Sequence, residues 1–113
     1  MPVKIKRIYD PPAPDDGFRL LTMRYWPRGI RKALVDAWDR GLAPSRELLQ
    51  DIRARTITWE QYVARYLDEM ATRPDSIASV SALRARAQRE TVTVMCSCKD
   101  ESHCHRSLLA ELV

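Results

Sequence analysis

A β-branched run, Thr91-Val-Thr-Val94, leads through Met95 into a segment that holds every cysteine and every histidine of the chain. Cys96, Cys98, His103, Cys104 and His105 all fall within ten positions, and an apolar helical stripe (Leu108, Leu109, Leu112) follows them. β-branched residues favour strands, and apolar residues at three- and four-residue spacing mark one helix face. The stretch therefore reads strand, loop, helix. A chain that closes this way has to find a sheet for the strand and a layer for the helix. That requirement points to an α/β fold.

The earlier sequence supplies the partners. Val3-Lys-Ile-Lys-Arg-Ile-Tyr9 alternates apolar and basic, as a strand with one buried face does. Asp10 to Gly17 carries three prolines and an Asp-Gly pair and reads as a loop. A second strand is expected over Phe18–Tyr25, stopped by Trp26-Pro-Arg-Gly29. Ile30–Gly41 fits a helical stripe through Leu34, Val35, Ala37 and Trp38, or a short strand starting at Leu34-Val35. Ser45 is placed to cap a helix running to about Arg53. Thr58-Trp-Glu-Gln61 is a capping-box pattern, and Trp59, Tyr62, Val63, Tyr66, Leu67 and Met70 behind it recur at helical spacing as a core stripe. After Pro74, Asp75 or Ser76 is expected to cap a third helix with Ile77, Val80, Leu83 and Ala87 inside and Arg84, Arg86 and Arg89 outside. Strands alternating with helices imply a small single α/β domain over residues 1–113. Its sheet is mostly parallel with flanking helices, and it ends in the strand-loop-helix.

Composition excludes several classes. With 113 residues, 45% hydrophobic and 30% charged, the chain suits one globular domain rather than a disordered polymer. No apolar run approaches the roughly 20 residues of a membrane span, and the first residues lack a secretory apolar stretch, so a cytoplasmic protein is expected. Three clustered cysteines suit metal binding, catalysis or redox chemistry better than a disulfide framework. The net charge of +4 is concentrated at one end: residues 1–32 carry eight Lys/Arg against three Asp. Such an excess attracts anions. Lys4, Lys6, Arg7, Arg24, Arg28, Arg31 and Lys32 could contact phosphates, with Trp26 stacking on a base, which makes nucleic acid one candidate partner.

Two chemistries fit the Cys/His segment. In a parallel sheet, ligands sit beyond the C-terminal strand ends, where the strand through Cys96 would deliver its thiols. A helix beginning after Ser102 would add exposed N–H groups beside them. Cys104, flanked by His103, His105 and Arg106, lies in a setting that favours a thiolate. The first reading is thus an anion-binding or nucleophilic site, with Cys104 or Cys96 as the thiolate, His105 as its catalytic neighbour, and Arg106 as a two-pronged carboxylate or phosphate binder. The second is zinc held by Cys96, Cys98, Cys104 and one of His103 and His105, with His105 the named candidate, a Cys₃His set whose Cys-x-Cys pair is tighter than the common spacing. His105 also shares the face of Leu108, Leu109 and Leu112, where a core histidine bonded to backbone would sit.

Lys6-Arg-Ile-Tyr-Asp-Pro-Pro12, Asp15-Asp-Gly-Phe-Arg19, Arg24-Tyr-Trp-Pro-Arg-Gly29, Leu42-Ala-Pro-Ser45 and Tyr62-x-x-Arg-Tyr66 together resemble the YeaO-like branch of domain of unknown function 488. The resemblance runs in order along nearly the whole chain and implies a small bacterial α/β protein of uncharacterised role. It carries over to Arg24, Pro27, Arg28, Cys96, Cys104, His105 and Arg106. The chain departs from the family pattern twice, with Met23 where an Asp is usual and Cys98 where a Glu is usual. The expected site therefore joins Arg24, Trp26, Arg28 and Arg106, as binders of an anionic ligand, to Cys96, Cys98, Cys104 and His105.

Overall fold

The computed structural model describes residues 3–98 and 103–113. Its centre is a four-stranded parallel sheet in the order β1-β4-β2-β3, with β1 Val3–Arg7, β2 Phe18–Leu21, β3 Ala37–Trp38 and β4 Val92–Cys96. β4 is paired on both sides: Val3 to Arg7 of β1 lie opposite Val92 to Cys96, and Phe18 to Leu21 of β2 opposite Val92 to Met95. All five β4 residues are buried. This is why the strand reads as a continuous run of β-branched and apolar residues rather than alternating with charged ones: a central parallel strand has buried neighbours on both faces. The parallel α/β fold expected from the sequence is the one observed.

Strand alternation divides the β4 side chains between two layers. Val92 and Val94 join Leu20 in the larger core, against Leu48, Tyr62, Tyr66, Met70, Val80, Leu83 and Leu109 of the helices. Those helices are α1 Arg46–Arg53, α2 Trp59–Thr72, α3 Pro74–Ala87 and α4 His105–Leu112. Met95 points the other way and packs with Ile8 and Leu21 under Met23, Trp26, Ile30, Val35 and Trp38. One face of the sheet is thus covered by helices and the other by an irregular segment carrying two tryptophans.

Local chemistry explains the helix starts. Ser45 accepts from the Leu48 N–H at 3.1 Å and caps α1, and Thr58 with Gln61 forms the complete capping box of α2. α3 differs from expectation. It starts at Pro74 with Arg73 as the capping residue, because proline's fixed φ suits the first helical position. Ser76, not Ile77, then falls on the inner face with Val80, Leu83 and Ala87, and Ile77 is 47% exposed. α4 begins at His105, in keeping with the start expected after Ser102.

Two further expectations are corrected. β2 ends at Leu21 rather than Tyr25, because the next carbonyls are taken by side chains: Thr22 O faces His105 Nε2 at 2.7 Å and Met23 O accepts from Trp38 Nε1 at 2.7 Å. Ile30–Gly41 forms no helical stripe. It makes two 3₁₀ turns, Lys32–Leu34 and Arg40–Leu42, around the two-residue β3.

The Pro-rich loop is tied down by Asp16, which is buried. Its carboxylate accepts from Lys6 Nζ at 3.0 Å, from Arg19 and from the Ala13 N–H, while its carbonyl accepts from Thr93 Oγ1 at 2.6 Å. Burial works to raise the Asp16 pKa, but the Ala13, Lys6 and Arg19 donors outweigh it and hold the carboxyl below its ordinary range. Gly17 follows at φ +65°, where a Cβ would lie 2.2 Å from Thr91 O. Part of the N-terminal basic excess is therefore consumed within the fold. Asp16→Asn should lower unfolding stability by about 3–5 kcal/mol, the usual cost of orphaning buried cations. The exposed pair of Asp15 with Lys4 is the control: Asp15→Asn should leave the midpoint of the same urea titration almost where it was, because water screens the pair.

Candidate functional site

A cavity of about 250 Å³ opens beyond the C-terminal ends of β2 and β4. Its floor is Cys96, Ser97 and Cys98 from the end of β4 together with Cys104 and His105 from the start of α4. Met23, Arg24 and Tyr25 come from the chain leaving β2, Leu49, Ile52 and Arg53 from α1, and Trp59 and Tyr62 from α2. Cys96 shares the sheet face of Val92 and Val94, so alternation alone directs its thiol into the helical layer. The edge is the one on which parallel sheets usually bind ligands.

The three thiols form a chain of contacts. Cys104 Sγ lies 3.2 Å from Cys96 Sγ, and Cys96 Sγ lies 3.3 Å from Cys98 Sγ. Cys96 and Cys104 are buried, whereas Cys98 is exposed. Thiols this close cannot all ionise, so one charge is shared and settles where water reaches it. Hydrogen bonds from Cys104 and then Cys96 pull the Cys98 pKa down against the cost of burial, with help from the Arg106 charge. Cys104 tends to lower Cys96, but Cys98 and burial outweigh it and push that thiol up to about 11. Contact with Cys96 and Cys98, followed by burial, drives the Cys104 pKa upward. The sequence reading named Cys104 or Cys96 as the thiolate; in the structure both are buried, and Cys98 is the exposed member of the chain.

His105 is buried, and its protonation follows from its neighbours. Nε2 is 2.7 Å from Thr22 O and 3.1 Å from Thr22 Oγ1, and that hydroxyl donates to Met95 O at 3.0 Å. Both Thr22 oxygens act as acceptors toward the ring, so Nε2 carries the hydrogen. Nδ1 presents a lone pair 3.7 Å from Cys104 Sγ. Burial, followed by the Arg106 charge among the lowering influences, depresses the His105 pKa despite the Thr22 bond and the Cys98 charge. The ring is therefore neutral near pH 7. Among the described residues, the donor atoms of Cys96, Cys104 and His105 lie within 4.8 Å of one another, a grouping able to hold a metal ion.

The cavity walls are aromatic and its rim is basic. Trp59 stacks on Tyr62 (4.9 Å, 16°), Tyr62 lies parallel to Tyr66 (6.1 Å, 3°), and Tyr66 meets His105 at 5.7 Å. His103 stands edge-on to Trp59 at 5.0 Å. Arg24 is held at the rim by its Nε, which donates to Pro44 O at 3.1 Å, and Arg53 lies opposite the loop on α1. Sequence reasoning assigned Trp59 and Tyr62 to the core alone. They belong to the helical stripe, but at the N-terminal end of α2, where the stripe runs past the sheet edge.

The remaining predicted binders are placed elsewhere. Trp26 packs edge-on against Trp38 (5.4 Å, 70°) on the opposite sheet face and donates to Ile30 O. Arg28 is exposed outside the cavity lining, and its carbonyl accepts from Tyr9 Oη at 3.0 Å. Arg106 is 2% exposed, and its Nη1 donates at 3.3 Å to both Lys6 O and Cys96 O, joining the ends of β1 and β4. Its charge reaches Cys98 from behind the floor rather than across the cavity. Of the four, only Arg24 lines the cavity. Among the N-terminal basic residues, Lys4 and Lys6 pair with Asp15 and Asp16, and Arg7 donates to Ser97 O, while Arg28, Arg31 and Lys32 stay exposed.

The model of the family DUF488-N3a, described as the active DUF488-N3 subclade, matches residues 3–113. Over 113 residues the chain is 31% identical to the uncharacterised protein YeaO of Escherichia coli, covering 98% of this chain and 96% of that one. It is 34% identical to the uncharacterised proteins Rv3073c of Mycobacterium tuberculosis and Mb3100c of Mycobacterium bovis, covering 98% of this chain and 92% of each. No solved structure matches the chain significantly. The family resemblance read from the sequence agrees with these matches.

The shared-charge geometry sets a pH dependence. A free cysteine loses thiolate about tenfold per pH unit below its pKa near 8.5. The neighbouring thiols lower the Cys98 pKa, so its thiolate persists to lower pH than that of a free cysteine. Iodoacetamide should modify one thiol with a pH profile displaced to lower pH than free cysteine, and peptide mapping should place it at Cys98. Three thiols labelled with the profile of free cysteine would contradict the shared charge.

Proposed function

We propose a function for a chain that belongs to the YeaO-like DUF488 family: it binds a small anionic ligand in the cavity and acts on it with the Cys98 thiolate. The observation that carries this reading is the Cys104–Cys96–Cys98 thiol chain ending in the one exposed sulfur, on the floor of a cavity with an arginine rim. Cys98 Sγ supplies an electron pair to an electrophilic atom of the ligand. As the new bond to sulfur forms, the bond to the leaving group breaks and its electron pair departs with that group. The Cys96 S–H holds the Cys98 thiolate before the reaction, and the Cys104 S–H is directed at Cys96. Trp59 and Tyr62 give a flat wall for a planar ligand. Arg24 gives the anion a charge-assisted donor at the rim. The description of the matching subclade as active is in keeping with a working site.

A second reading rests on a separate observation. The His105 Nε2 hydrogen is fixed on a backbone carbonyl, the arrangement that orients a metal-binding imidazole, and Nδ1 faces the sulfurs. Cys96, Cys104 and His105 would hold a thiophilic divalent ion such as zinc, with Cys98 as the fourth donor. Bound there, the ion would cross-link β4 to α4 and supply Lewis acidity at the cavity floor.

One native sample separates the two. In the thiolate reading, purified protein holds far less than one zinc per chain. It also reacts with iodoacetate, relative to iodoacetamide, faster than free cysteine does, since the rim attracts the carboxylate. Arg24→Gln and raised salt should both remove that preference. A preference equal to that of free cysteine defeats the anion-binding thiolate. Close to one zinc per chain, with thiols that become titratable only after chelation, establishes the metal reading instead.

A further inference from the structure

A second depression, of about 490 Å³, adjoins the thiol cavity and shares Arg24 with it. Its lining carries four guanidinium groups from separate parts of the fold: Arg24 after β2, Arg46 at the first position of α1, Arg65 on α2, and Arg73 at the junction of α2 and α3. Two carboxylates, Glu47 and Glu69, also line it. Glu69 is already committed, accepting from the Ser45 N–H at 2.8 Å and from Ser45 Oγ, and so fills the N-terminal end of α1. Arg65 reaches away to Asp51 at 2.6 Å, a pair about 40% exposed on both sides. Arg73 Nη2 makes only a long contact with Asp75, 3.4 Å, and its Nη1 is enclosed with no acceptor among the described residues.

Folding alone gives little reason for this arrangement. A cation in the first turn of a helix opposes the helix dipole, and Arg46 occupies the first position of α1. Arg73 leaves an enclosed donor unsatisfied, which costs free energy until an acceptor arrives. Both features are remedied by one event, the arrival of an oxygen-rich anion. Guanidinium groups recognise phosphate with paired, charge-assisted hydrogen bonds. Arg24, bonded to Pro44 O and Ala43 O, stands where such a group would connect to a ligand in the thiol cavity.

We propose that this arginine-lined depression is the phosphate subsite of the ligand whose other end occupies the thiol cavity. The ligand class is then a small phosphate monoester with a planar ring, the ring against Trp59 and Tyr62 and the phosphate among Arg24, Arg46 and Arg73. The inference rests on the anionic-ligand reading of the cavity. It does not depend on Cys98 being a nucleophile.

The probe is adenosine 5′-monophosphate, with adenosine as its uncharged counterpart, titrated calorimetrically against the full chain. The monophosphate should bind at least tenfold tighter than adenosine. Arg46→Gln and Arg73→Gln should each weaken it on the order of tenfold, the loss of one charge-assisted contact, while adenosine affinity stays unchanged. Arg46 is exposed, so Arg46→Gln and the charge reversal Arg46→Glu test the subsite with little risk to folding, checked by an unchanged melting temperature. Equal affinity for the monophosphate and adenosine, or a monophosphate affinity that ignores both substitutions, overturns the subsite. Far tighter, steeply salt-dependent binding of a single-stranded oligonucleotide than of the monophosphate also overturns it, in favour of a polymer ligand. The titration reads binding alone and the iodoacetamide mapping reads the thiolate alone, so failure of the thiolate chemistry is distinguishable from failure of the subsite.

Discussion

The double pairing of β4 is the constraint on which the rest of the molecule depends. Its backbone is satisfied by β1 on one side and β2 on the other, so its side chains must be buried above and below. Alternation then fixes their fates. Val92, Val94 and Cys96 face the helices, and Met95 faces the tryptophan segment. The same alternation that builds the core delivers the first thiol to the cavity floor. Structure and site are thus coupled through five residues.

The loop from β4 to α4 is closed by contacts from elements far away in sequence. Thr22, just past the end of β2, receives the His105 ring, and Arg106 bonds the terminal carbonyls of β1 and β4. These contacts hold the first turn of α4 against the sheet edge. With that turn held, Cys104 meets Cys96 and a shared negative charge follows. A buried arginine behind the floor biases the charge toward the open sulfur. Low dielectric makes each of these influences stronger than it would be in water.

Much of this was legible before any coordinates. The α2 capping box, the Ser45 start, the central strand rich in β-branched residues and the crowding of thiols are local signals, and local signals survive folding. Ile30–Gly41 was ambiguous because its tryptophan and its small residues fit either period. Its form is set by docking on the sheet, as Trp38 donates to Met23 O and packs on Trp26. Trp26 and Arg28 looked like neighbours of the thiols because they follow a strand that ends at the same edge. The chain turns under the opposite face there, and Trp26 goes with it.

By itself the sequence determined that a strand, a thiol-rich loop and a helix would close a small parallel α/β domain, because hydrophobic period and β-branching are properties of neighbouring residues. It also determined which side chains were available for chemistry. Only the tertiary structure decided which thiol stays exposed and which arginine reaches the cavity. The first depends on unequal burial of three sulfurs in contact, and the second on how helices α1 and α2 overhang the sheet edge. Proton sharing and field strength depend on distances between residues remote in sequence, and those distances exist only once the layers have packed.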